Sequence, residues 1–149
     1  MIKSIVETIN SSLNTAHTFV FVTDKGEANL SFDNTTFPAT VLYLDRSLEL
    51  ITKNNGLVQY RYSRLEVAFM EEIDIDSTAD QIYTKQLLEI SAANQFINLM
   101  KDRIEWQRIA GNTELTAAIQ PLAEGFDDSV TGVTLIFNNL VLQGANICS

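Results

Sequence analysis

One cysteine, one histidine, two prolines and ten basic residues are spread over 149 positions, and each scarcity removes a class of function. With Cys148 alone, an intramolecular disulfide is impossible and a thiolate metal cluster would need other chains, which suits a reducing compartment. With His17 alone, neither a two-histidine metal site nor a Ser-His-Asp arrangement can be read from any motif. No apolar run approaches the roughly 20 residues needed to cross a bilayer; the longest, Thr18–Val22 and Val133–Phe137, are strand-sized. The opening MIKSIVETINSSLN has one basic residue, Lys3, and helical spacing in place of a long apolar signal core. These absences predict a soluble intracellular protein that does not engage a membrane. Ten basic against nineteen acidic residues give a formal charge of −9. That balance opposes a phosphate backbone, so direct sequence-specific nucleic-acid binding is not expected.

What is present is pattern. Ile2, Ile5, Val6, Ile9 and Leu13 recur at helical steps, predicting an amphipathic first helix of about three turns. Thr18–Thr23 is rich in β-branched and aromatic residues and stops at Asp24-Lys25-Gly26, predicting a strand. The run from Phe37 to Asp45 predicts a second, with its proline at the strand start or edge. Leu48–Thr52 and Leu57–Tyr62 flank Lys53-Asn-Asn-Gly56, where Asn55-Gly56 can take positive φ, and predict a hairpin. Val58, Tyr60 and Tyr62 share one parity and Leu65, Val67 and Phe69 the other, so a bulge or bend is expected near Ser63-Arg64.

A capping box, Thr78 to Gln81, opens a long helix expected to reach about Asp102, with Tyr83, Leu87, Ile90, Ile97 and Met100 as its apolar positions. Ile104–Ile109 alternates as a strand would, and Gly111-Asn112 breaks it. Leu115–Ile119 fits either a short strand or a helical turn before Pro121. Gly132–Phe137, continuing through Leu140–Leu142, predicts a buried last strand after the polar 126–129 loop. With no repeat or linker, the expectation is one domain over residues 1–149. Its class is α+β, a mainly antiparallel sheet with the N-terminal helix and one long helix packed on one face.

The candidates for chemistry are thin. His17, at the junction of the first helix and first strand, has no partner supplied by a motif and is read as structural or surface. Glu71, Glu72, Asp74, Asp76 and Asp80 gather acids before a helix, where they favour its positive end, and lack the glycine and distal glutamate of an EF-hand loop. Glu124, Asp127 and Asp128 read as a solvated loop. Cys148 has no basic neighbour to activate it. No catalytic residue, cofactor or metal site is expected. Arginines 61, 64, 103 and 108 lie close in sequence to Tyr60, Tyr62 and Trp106, a mixture typical of protein interfaces. The expected interface residues are Tyr60, Arg61, Tyr62, Arg64, Trp106 and Arg108, although such stems also serve to cover apolar strand surface.

The N-terminal amphipathic helix, the run Phe37-Pro-Ala-Thr-Val-Leu-Tyr-Leu, and Phe126-Asp-Asp-Ser-Val-Thr-Gly-Val-Thr-Leu-Ile-Phe137 leading to a terminal cysteine form a layout. It resembles the small tail-completion, tail-terminator and neck (head-tail joining) proteins of long-tailed bacteriophages and prophages, over most of the chain as an element order. The resemblance implies a sheet flanked by helices and a structural virion protein without an active site, forming a homo-oligomeric ring. Its partners would be itself and neighbouring tail-tube or connector proteins, and it would be assembled in the bacterial host cytoplasm. The strand from Leu57 to Ile73 would then be a natural contact region, and an acidic lumen would repel passing DNA. The other readings are an acidic protein-binding or adaptor module without catalysis, and an enzyme whose catalytic groups are dispersed.

Overall fold

The computed structural model describes residues 2–23, 35–44, 48–54, 56–74, 76–109, 114–122 and 130–144. Helix α1 (Ile2–Ser11) is followed by strands β1 (Thr18–Val22), β2 (Ala39–Leu44), β3 (Leu48–Thr52) and β4 (Val58–Glu72). The long helix α2 (Ala79–Lys101), a single turn α3 (Ile104–Gln107), and strands β5 (Ala118–Pro121) and β6 (Val130–Gln143) complete the described order. This is the α+β architecture expected: an open, mostly antiparallel sheet ordered β1-β2-β4-β6-β5, with α1 and α2 packed against it. Among the described strands only β1 and β2 run parallel. Strand β3 pairs with the first part of β4 and β2 with its later part, so both lie along one edge of that strand.

Local chemistry accounts for most boundaries. The apolar face of α1 puts Ile2, Ile5, Val6 and Ile9 in the core. The hairpin forms as expected, with Leu48 opposite Tyr62 and Thr52 opposite Val58, and Gly56 takes φ 82° in its turn; Asn55 is outside the described residues. The Phe37-Pro38 peptide is cis immediately before β2. Thr78 Oγ1 accepts from Gln81 N–H while Gln81 Oε1 accepts from Thr78 N–H, the reciprocal pair read in the sequence. Proline ends the edge strand β5, where a missing N–H is tolerated.

The expected phase switch occurs, and it is shared by two strands. Tyr62 pairs with Leu140 and Leu65 with Phe137, all four in the core, so each strand steps three residues between core positions. The ladder skips the Ser63–Asn139 level without changing register on either side, which means neither strand gains a residue on the other. Asn139 adopts φ 57°, a left-handed conformation that asparagine tolerates better than most residues. At the far end, Gly132 lets the backbones of β4 and β6 approach, since a Cβ there would lie 1.9 Å from Phe69 O.

Two expectations are corrected. The Ile104–Ile109 alternation is not a strand: Ile104–Gln107 is a helical turn, entered from an extended Arg103, with Trp106 as its buried anchor. The turn closes on its own backbone, with Gln107 N–H donating to Arg103 O and Arg108 N–H to Ile104 O, so side-chain alternation over six residues did not distinguish it from a strand. Along α2, Met100 is buried as expected but Tyr83 and Leu87 are 60% and 47% exposed, while Glu89, Ala92, Ala93 and Phe96 face the sheet. The turn at 24–26, the break at 111–112, the 126–129 loop and Cys148 lie outside the described residues.

Because Asn139 carries the phase switch, Asn139→Gly should leave stability nearly unchanged, whereas Asn139→Val should cost roughly 1–2 kcal/mol by forcing a β-branched residue into left-handed backbone. Equilibrium urea unfolding of both variants checks this.

Candidate functional site

The buried face of α2 carries a charge, Glu89, that has to be satisfied. The residues just before β1 supply the partner: His17 Nε2 lies 2.8 Å from Glu89 Oε2, with both side chains at most 2% exposed. The other ring nitrogen, Nδ1, is 2.7 Å from Thr15 O. A carbonyl only accepts, so Nδ1 carries a proton, and a carboxylate opposite Nε2 favours a second one. Phe69 packs edge-on to the ring at 6.2 Å. The same corner is tied from behind, since Asn10 Nδ2 donates to His17 O at 2.8 Å and Thr40 Oγ1 donates to Asn10 Oδ1 at 2.6 Å. One connected set of hydrogen bonds therefore joins β2, α1, the start of β1 and α2.

Electrostatics agree with this geometry. Burial is the largest single influence on His17 and pushes its pKa down, but the hydrogen bonds to Glu89 and Thr15 and the charges of Glu89 and Glu71 together outweigh it, leaving the pKa raised above 6.5. Glu71 is also raised, first by burial and then by repulsion from Glu89, with Lys85 opposing. The Lys85 ammonium donates to Glu72 O. A cavity of about 100 Å³ opens beside this group, lined by Thr15, His17, Glu71, Leu88, Glu89, Ser91, Ala92 and Gln95. Both ring nitrogens are already committed, so His17 has none left to activate the hydroxyl of Ser91. The arrangement is a clamp, and Glu89, 72 positions from His17, is the partner that sequence reasoning missed.

The acids before α2 separate in space. Glu71 lines the cavity, Asp80 sits in the first helical turn, and Ser77 Oγ accepts from Asp74 N–H. Among the described residues no group of three or more His, Cys, Asp or Glu side chains is placed to hold a metal ion, and no helix is long and apolar enough to cross a membrane. Glu124, Asp127 and Asp128 lie outside the described residues.

The six expected interface residues do not form one face. Tyr62 and Trp106 are 3% and 6% exposed and belong to the core. Burial pushes the Tyr62 phenol up, opposed by a hydrogen bond from the backbone of Ile2. Tyr60 is half-buried against the same core. Arg61 is on the opposite side of the strand, paired with Glu49 at 2.9 Å, and Arg64 reaches the buried Glu66 at 3.2 Å. Arg108 is exposed at the end of α3. Burial is the largest single influence on Glu105 and would raise its carboxyl, but two hydrogen bonds from Arg103, 3.0 and 2.6 Å, a backbone hydrogen bond and the charges of Arg103 and Arg108 together outweigh it and leave its pKa lowered. Exposed apolar side chains lie elsewhere, at Leu48 and Leu50 on β3, at Tyr83, Leu87 and Leu88 on α2, and at Ile104 and Ile119. The chain has no match among family models, curated proteins or solved structures.

The sign of the pH dependence follows from the raised pKa values. The contribution of protonated His17 is complete below its unfolded pKa of 6.5 and is lost as pH rises through the higher folded value; Glu71, raised above 4.5, likewise favours the acidic side. Stability should fall as pH rises from 6.5 through the folded value of His17. Glu89→Gln should flatten that slope and cost roughly 3–5 kcal/mol in mildly acidic buffer, because it leaves a buried cation without its counter-charge. Urea midpoints across pH for both proteins read this out, and an unchanged slope in the variant would mean the dependence arises elsewhere.

Proposed function

We propose that the chain is a structural subunit of a homo-oligomeric ring at the neck or tail end of a tailed-phage-like particle, holding its neighbours through surface contacts and performing no catalysis. The observation that carries the assembly reading is strand β3. It pairs with β4 alone among the described strands, and on it Leu48 and Leu50 are 45% and 63% exposed. Cross-strand neighbours point the same way, so these leucines continue the apolar surface of Tyr60 and Tyr62 beyond the part of the sheet that the helices cover. An uncovered edge strand with apolar side chains is a liability in a protein that stays alone and a contact in one that assembles. The commitment of both His17 nitrogens supports the non-catalytic part of the reading. The phage particle itself rests on the element order and motifs described in the sequence.

Sedimentation velocity and negative-stain microscopy of the full chain, alone and mixed with a tail-tube or connector preparation, test this. Closed particles of more than two copies are expected, and Leu50→Asp should reduce their mass while the far-ultraviolet circular dichroism stays native. A chain that never exceeds one or two copies under either condition would overturn the ring.

A further inference from the structure

The cavity of about 100 Å³ beside the clamp has walls from three parts of the fold. Leu88, Ser91, Ala92 and Gln95 recur at steps of three and four along α2, so they share one side of the helix, with Glu89 at its inner margin. Gln95 ties that side to the end of α1, its Oε1 accepting from Asn14 N–H. Thr15 and His17, just before β1, form the second wall. Glu71 is the third. Thr18 pairs with Ala39 and Ala39 with Met70, which brings His17 and Glu71 to the same end of the sheet, and Glu71 shares the parity of the core residues Val67 and Phe69. Leu88 is 59% exposed and Ser91 is exposed, so this rim of the cavity meets solvent.

We propose that this cavity binds a small primary alkylamine, its ammonium donating to Glu89 and Glu71 and its short chain lying against Leu88 at the rim. The acceptors are in place. Glu89 is 2% exposed and bonds His17 through Oε2, while Oε1 has no hydrogen bond among the described residues. A carboxylate oxygen so deeply placed calls for a donor. Glu71 brings a second negative charge, near enough for Glu89 to push its pKa up. Among the described residues of the wall His17 is the one cation, and both of its N–H groups are spent, on Glu89 and on Thr15 O. Lys85 also acts on Glu71, but its ammonium donates to Glu72 O outside the wall. Two carboxylates against one committed cation favour a positive ligand. A metal ion fits poorly: an imidazole with both nitrogens protonated cannot ligate it, and among the described residues no three His, Cys, Asp or Glu side chains converge to hold one. An ammonium asks for three acceptors, and Glu89 Oε1, the Glu71 carboxylate and the second lone pair of Thr15 O supply them. The volume of about 100 Å³ is a few times the roughly 30 Å³ of a liquid water, room for the charged head and a few carbons. The site lies apart from β3 and does not rest on the ring reading.

Nuclear magnetic resonance titration of the isotope-labelled full chain with n-butylammonium chloride, against sodium chloride at equal ionic strength, tests the site. In mildly acidic buffer the amides of Thr15, His17, Ser91 and Gln95 should shift and saturate with a dissociation constant on the order of 1 mM. Glu71→Gln should weaken binding about tenfold. Leu88→Ala, at an exposed position that folding tolerates, should leave the affinity for ammonium chloride unchanged and cut the preference for butylammonium over it roughly threefold. Tetramethylammonium, which has the charge without N–H donors, and calcium chloride should not saturate these shifts. The proposal is overturned if butylammonium gives no saturable shift beyond sodium chloride, if a folded Glu71→Gln chain binds as wild type does, if Leu88→Ala keeps the full preference, or if tetramethylammonium or calcium binds there as tightly.

Discussion

A helix lying on a sheet can bury only one of its faces, and the ion pair between Glu89 and His17 decides which face of α2 that is. A buried carboxylate without a partner would cost far more than the apolar surface around it could return. His17 removes that cost and is itself held by Thr15 O and, through its backbone carbonyl, by Asn10. With Glu89 fixed inward, Ala93, Phe96 and Met100 follow it onto β4 and β6, and Tyr83 and Leu87 have to point away. The exposure of Tyr83 and Leu87 is thus the other side of a polar interaction in the core. This links a hydrogen-bond network at the α1–β1 corner to the surface available for contact.

The sheet imposes a related constraint. Strands β4 and β6 form a spine longer than the helices can cover, and their shared phase switch at Ser63 and Asn139 keeps the core side continuous along it. Past that switch, β3 extends the sheet where Leu48 and Leu50 are exposed, 45% and 63%. At the other sheet edge, β5 is exposed along its length. The exposed large apolar side chains are therefore distributed among β3, α2, the start of α3 and β5, a scatter that does not converge on a single enclosed ligand site.

Elements whose signals were local were legible in the sequence. The helical steps of α1, the hairpin around Lys53–Gly56, the Thr78–Gln81 capping box and the parity change after Tyr62 each depend on residues a few positions apart. Two things were not legible. On α2 the expected positions Ile90, Ile97 and Met100 do meet the core, but Tyr83 and Leu87 point away from it, and the rest of the inner face is built on alanines, Phe96 and a glutamate that reads as surface. The pairing of His17 with Glu89 joins residues 72 positions apart, and no spacing rule reports it. The same lack of depth information placed Trp106 and Tyr62 among contact residues, when their aromatic rings are part of the core.

The orientation of α2 is the claim from which the clamp and the exposure of Tyr83 and Leu87 both follow. Hydroxyl-radical footprinting of the full chain over a dilution series measures it residue by residue. Tyr83 and Leu87 should react strongly at the lowest concentration, while Phe96 and Met100 stay protected throughout. Strong protection of Tyr83 and Leu87 in the most dilute sample, with Phe96 reactive, would mean that the opposite face of α2 is the one turned to the sheet.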